Sequence, residues 1–112
     1  MSIVSIFPKC SALAMGNTVV IKASELAPVT LLEFGKLIEK AGLPKGVVNI
    51  ITGFGEPCGK ALTSHDLVER IAFTGGPETA RHIIKNSSEN LSQVSLESVS
   101  YTHLTLPTKR IV

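Results

Sequence analysis

Asn17 to Lys22 reads NTVVIK, a β-branched apolar run bounded by Gly16 and Ser24, and predicts a short, buried strand. Ser24, Glu25 and Pro28 then suit a helix start. Leu31, Phe34, Ile38 and Ala41 recur at helical spacing until Gly42 and Pro44 stop it. A second apolar run, Val47 to Thr52 (VVNIIT), predicts another strand, closed by a Gly53-Phe54-Gly55 turn, with a helical segment over Pro57 to Thr63. Val68 to Thr74 predicts a third strand ending at Gly75-Gly76, and Pro77 is placed as the first residue of a helix running to about Lys85. Gln93 to Leu96 begins a fourth strand. Strands alternating with helices of this length imply an α/β fold, a parallel sheet with helices on its faces joined by right-handed crossovers.

The 112 residues suffice for one domain. They fall short of an enzyme with separate cofactor and substrate domains, so the sheet is expected to be incomplete. Eleven Lys and Arg face nine Asp and Glu, giving a formal charge of +2 without any long run of one sign. With 4% aromatic residues there is little to stack on bases, and nucleic acid is a poor partner. No window approaches eighteen consecutive apolar residues, and the apolar opening Ile3 to Phe7 is short and follows no basic residue. Neither a membrane nor secretion is indicated, and a soluble, intracellular protein is expected. Cys10 and Cys58 lie far apart with no CxxC spacing, so no metal site or disulfide is signalled and both are expected to be buried thiols.

In open parallel sheets, ligands sit outside the carboxyl ends of the strands, where turns take glycine and the next helix presents free N–H groups. Gly53, Gly55 and Gly59 follow the second predicted strand, and Gly75-Gly76 follow the third. The spacing G-x-G-x-x-G is met at neither turn, and Gly55, Gly59 and Lys60 only partly echo a phosphate loop. Glycine that merely reverses the chain is the plainer alternative. Lys22 and Glu25 lie just past the first predicted strand, where an ammonium could donate to a ribose and a carboxylate accept from it. A solvated ion pair is the plainer alternative there.

Four stretches in order, ALAMGNTVVIKASE (12–25), AGLPKGVVNIITG (41–53), IAFTG (71–75) and VSLE (94–97), closely resemble the aldehyde dehydrogenase superfamily. The resemblance runs from about Phe7 or Cys10 to Glu97 and leaves the opening Met1 to Pro8 off-pattern. It implies the core of an NAD(P)-binding, Rossmann-like domain over residues 1–97. Lys22 and Glu25 match the residues that hold the adenosine ribose, and the acidic Glu25 favours a free 2′-hydroxyl, hence NAD over NADP. Gly55 and Gly59 match glycines beside the adenine and ribose. Phe73, Thr74 and Gly75 match the motif at the next turn, where Gly75, followed by Gly76, begins the cofactor glycine motif beside the pyrophosphate.

Two departures stand out. The family usually has Ser where this chain has Gly76, and glycine where it has Ala80, whose methyl could crowd the helix against cofactor or sheet. Glu97 falls on the family's general-base glutamate, although of the Leu-Glu-Leu-Gly-Gly-Lys motif only Leu96-Glu97 remains. The family's nucleophilic cysteine lies well beyond this point, and neither Cys10 nor Cys58 matches it. The chain alone is therefore expected to be inactive.

From Ser98 the resemblance ends. Val99 to Val112, VSYTHLTLPTKRIV, matches the translation of a transposon-end adapter used in sequencing libraries, so residues 98–112 are expected to be an artefactual tail and His103 no catalytic group. The leading reading is a piece of an NAD(P)-dependent aldehyde dehydrogenase whose whole form, a cytoplasmic homo-oligomer, oxidises an aldehyde to a carboxylic acid through a cysteine thioester. One alternative is a stand-alone nucleotide-binding module without chemistry. Another is a product without function, its cut sheet exposing strand edges that promote aggregation.

Overall fold

The structure, a computed structural model, describes residues 2–3 and 9–97. Its elements run β1 (Ser2–Ile3), α1 (Lys9–Ala14), β2 (Val19–Lys22), α2 (Val29–Lys40), β3 (Val48–Ile51), α3 (Lys60–Thr63), β4 (Arg70–Thr74), α4 (Pro77–Ser87) and β5 (Gln93–Glu97). All strand pairs are parallel, in the order β3-β2-β1-β4-β5. The α/β parallel sheet expected from the alternating pattern is thus present.

Strand order builds outward from β1 in both directions, first through β2 to β3 and then through β4 to β5. Two apolar clusters divide the helices between the two faces. Val19 and Ile21 pack with Ala12 and Leu13 of α1, Leu31 of α2, Val48, Ile50 and Ala72. Val68, Ile71 and Ile83 of α4 pack with Leu62 of α3, Phe73 and Val94. Successive residues of a strand point to opposite faces, so Ala72 belongs to the first layer while Ile71 and Phe73 belong to the second. This is the doubly wound arrangement, with its topological switch between β1 and β4. Ile21, Ile71, Val19 and Val68 are the largest fully enclosed side chains, each worth roughly 1.5–3 kcal/mol of burial.

Ser2–Ile3, in the opening stretch that the resemblance leaves off-pattern, pair with Val19–Val20 on one side and Arg70–Ile71 on the other, making β1 the central strand. The helical segment expected over Pro57 to Thr63 is present: a wide helical turn over Gly55–Gly59, broken only at Glu56 (φ −124°, ψ 129°), leads directly into α3. Asn49 interrupts the apolar pattern of β3, and its amide donates to the Gly46 carbonyl at 2.8 Å. Residues 98–112, including His103, lie outside the described residues, as do Met1 and residues 4–8.

Candidate functional site at the carboxyl edge of the sheet

Parallel pairing gathers the strand ends along one edge. Val20, Ile3 and Ile71 are level across β2, β1 and β4, so Lys22 is level with Phe73, and Thr74 stands one residue further out. Two strand spacings put the ends of β2 and β4 about 10 Å apart, one on each side of the switch point. Thr74 pairs with Glu97 at the end of β5, and both are exposed.

Lys22 closes β2 with its side chain mostly enclosed, 18% exposed. Its ammonium donates to the Ala23 carbonyl at 3.1 Å and to Glu25 Oε2 at 3.4 Å. Glu25 is presented by a turn in which the Ser24 hydroxyl accepts from the Leu26 N–H at 3.3 Å. A methyl on Gly59 would lie 3.7 Å from both Cδ and Cε of Lys22, so the Gly59 turn packs beside the lysine stem. Lys22, Glu25 and Gly59 therefore meet at the carboxyl end of β2, as the sequence suggested. The Lys22 ammonium has three donors, of which two engage Ala23 and Glu25 among the described residues.

A backbone hydrogen bond at Glu25 itself, and then the neighbouring Lys22 ammonium, hold this carboxyl below the ordinary glutamate range. A depressed folded-state value means the pair contributes above the unfolded value and is lost as pH falls through the folded one. Glu25 should accordingly stay ionised well below neutrality, and a carbon-detected titration should place its midpoint below the ordinary glutamate value. A midpoint at or above that value would contradict the arrangement.

The glycines separate into two kinds. Gly53 (φ +153°) and Gly75 are accounted for by packing, since a Cβ would fall 2.7 Å from Cβ of Cys58 in the first case and 2.5 Å from the Phe73 ring in the second. A Cβ at Gly55 or Gly76 would meet nothing within 4 Å, so space remains open beside both turns. Gly59 is helical (φ −63°, ψ −39°) and has room for a methyl. Gly59→Ala should raise stability by about 0.5–1 kcal/mol, read by urea unfolding. A loss instead would mean that the turn is held in some other way.

Gly76 caps α4 in extended conformation and Pro77 takes the first helical position. Ala80, at the departure from the family pattern, is buried, and its N–H donates normally to the Gly76 carbonyl at 3.1 Å. Its methyl is accommodated without breaking the helix. Cys58, expected to be buried, is only half-buried, its thiol 3.8 Å from the Thr52 carbonyl. No side chain of Cys10 is described. Among the described residues no group of three His, Cys, Asp or Glu could hold a metal ion, and no helix is long and apolar enough to cross a membrane. Sequence reasoning missed the partners that fasten the Gly59 turn, Thr63 and Asn86, which lie 23 residues apart and meet only in the fold.

The profile of the aldehyde dehydrogenase family matches residues 3–104. The (Z)-2-((N-methylformamido)methylene)-5-hydroxybutyrolactone dehydrogenase of Acinetobacter baylyi is 67% identical over 86 residues, covering 77% of this chain and 18% of the relative. Betaine aldehyde dehydrogenase 1 of rice (Oryza sativa subsp. japonica) is 51% identical over 86 residues, covering 77% and 17%. Among solved structures, the aldehyde dehydrogenase of Bartonella henselae superposes with a TM-score of 0.78 at 40% identity, covering 80% of this chain and 19% of that one. Betaine aldehyde dehydrogenase of Staphylococcus aureus, solved in complex with NAD+, superposes with a TM-score of 0.75 at 41% identity, covering 78% and 17%. The chain thus spans about a fifth of the length of these relatives, and over that span sequence and fold agree: it belongs to the aldehyde dehydrogenase family.

Proposed function

We propose that this chain carries the adenosine end of an NAD site, in a whole protein that oxidises an aldehyde to a carboxylic acid. The observation that carries the reading is the meeting of Lys22, Glu25 and Gly59 at the carboxyl end of β2, beside the switch point of a doubly wound sheet. The donor set suits a ribose. An ammonium can donate to a ribose hydroxyl oxygen, and an ionised carboxylate can accept a hydrogen bond from the hydroxyl. The same carboxylate would repel a 2′-phosphate, which favours NAD over NADP. Gly55 lies in the turn that leads to Gly59, and the open space beside it suits the adenine. Thr74, Gly75 and Gly76, at the end of β4 and the start of α4, would face the pyrophosphate, whose charge the helix N-terminus favours.

When bound, NAD supplies the hydride acceptor. The residues of this chain bind and orient it. Glu97, exposed at the end of β5, would be the general base of the whole enzyme, a cytoplasmic homo-oligomer in this reading. Neither cysteine is matched to the family's nucleophile, so the 112-residue chain alone should form no reduced nicotinamide from NAD and an aldehyde. Absorbance of the product checks this, and turnover abolished by Cys58→Ser would contradict it.

Calorimetric titration of the chain with NAD and with NADP tests the binding claim. One saturable NAD site with weaker NADP binding supports the reading, and Gly59→Ala should weaken that site by placing a methyl beside Lys22. Equal or stronger NADP binding would overturn the assigned role of Glu25, and absence of NAD binding would overturn the whole reading.

A further inference from the structure

We propose that Thr63 is a positioning residue for the ribose site, held by Asn86 of α4. This rests on the nucleotide reading above. Thr63 is 6% exposed, and its hydroxyl lies 2.9 Å from the Gly59 carbonyl and 3.2 Å from that of Lys60. A hydroxyl has one proton to donate, shared between these carbonyls, and a lone pair to accept with. The Asn86 amide donates to that oxygen at 3.0 Å. The Asn90 amide donates to the Thr63 carbonyl at 3.4 Å and to the His65 carbonyl at 2.8 Å, fastening the end of α3 from the same side.

A line of bonds therefore runs from the last turn of α4 through Thr63 to Gly59, the residue that packs on the Lys22 stem. It is consequential because α3 is a single turn and the helical stretch leading into it is broken at Glu56, so this short segment has few backbone bonds of its own to fix Gly59. The helix that starts at Gly76, on the pyrophosphate side, thereby sets the position of the turn on the ribose side. Thr63 touches no ligand in this arrangement. It acts through the placement of Gly59 against Lys22.

The test compares adenosine monophosphate with its 2′-deoxy analogue, titrated into the 112-residue chain by calorimetry. The intact chain should prefer the ribose form by about tenfold, the loss expected for one hydrogen bond to a charged group. Thr63→Val should bring that preference close to one, Asn86→Ala should reduce it, and Thr63→Ser, which keeps the hydroxyl, should retain it. General destabilisation would lower both affinities together and leave their ratio alone. Hydrogen exchange of the Gly59 to Thr63 amides, read without nucleotide, should accelerate in Thr63→Val and not in Thr63→Ser. Unchanged preference and unchanged exchange in Thr63→Val would overturn the positioning role while leaving the NAD reading standing. An intact chain that binds neither nucleotide would remove the NAD reading and the ribose role of Thr63 with it, and the exchange data would then report a structural tie alone.

Discussion

Replacing Lys22 with Met is expected to weaken NAD binding by about tenfold to a hundredfold while leaving the fold in place. Hydrogen bonds to charged groups are worth about 1.5–3 kcal/mol, which converts to that range. Methionine keeps an unbranched apolar stem of similar reach, so packing against Gly59 and the half-buried position at the end of β2 should survive. The ion pair itself contributes little stability, because Glu25 is well exposed and solvent screens it. The loss should therefore appear in affinity and not in the unfolding midpoint. Equal affinity in calorimetry would remove Lys22 from the site.

Ile71→Ala acts on the other quantity. Ile71 is 1% exposed at the centre of the cluster with Val68 and Ile83, and removing its three outer carbons should cost about 2–5 kcal/mol. Domains of this kind have total stabilities of about 5–15 kcal/mol, so much of the margin would go. The cluster also carries Leu62 of α3 and Ile83 of α4, the helices that follow the Gly59 and Gly76 turns. Its loosening should reach both halves of the proposed nucleotide site. Urea unfolding followed by circular dichroism measures the change, and a cost below about 1 kcal/mol would mean that the cluster does not hold the second face together.

The strands VVIK and RIAFT and the helix from Pro77 were legible because β-branched runs and a proline at a helix start carry local signals that packing merely confirms. β1 was not, since two residues have no period to read and their pairing partners lie 17 and 68 positions away. The helical segment over Pro57 to Thr63 was legible as well, but the break just before it at Glu56, an extended backbone that its side chain does not announce, was not. In the site, Lys22, Glu25 and Gly59 could be named from the resemblance, yet their contact depends on how the wide turn returns over the end of β2. At Gly75 the Phe73 ring supplies a packing reason for glycine beside the one the resemblance implies. Thr63 and Asn86 carry no motif at all, and only the packing of α3 against α4 joins them.

The central claim is that one nucleotide lies across the carboxyl edge from β2 to β4. Amide chemical-shift mapping of the isotope-labelled chain during titration with NAD tests it most directly. The account predicts saturable shifts, with a common dissociation constant, at Lys22 to Glu25, at Gly55 to Lys60 and at Thr74 to Gly76. Shifts confined to the opposite edge, near Val19, Arg70 and Gln93, or none at saturating NAD, would contradict it.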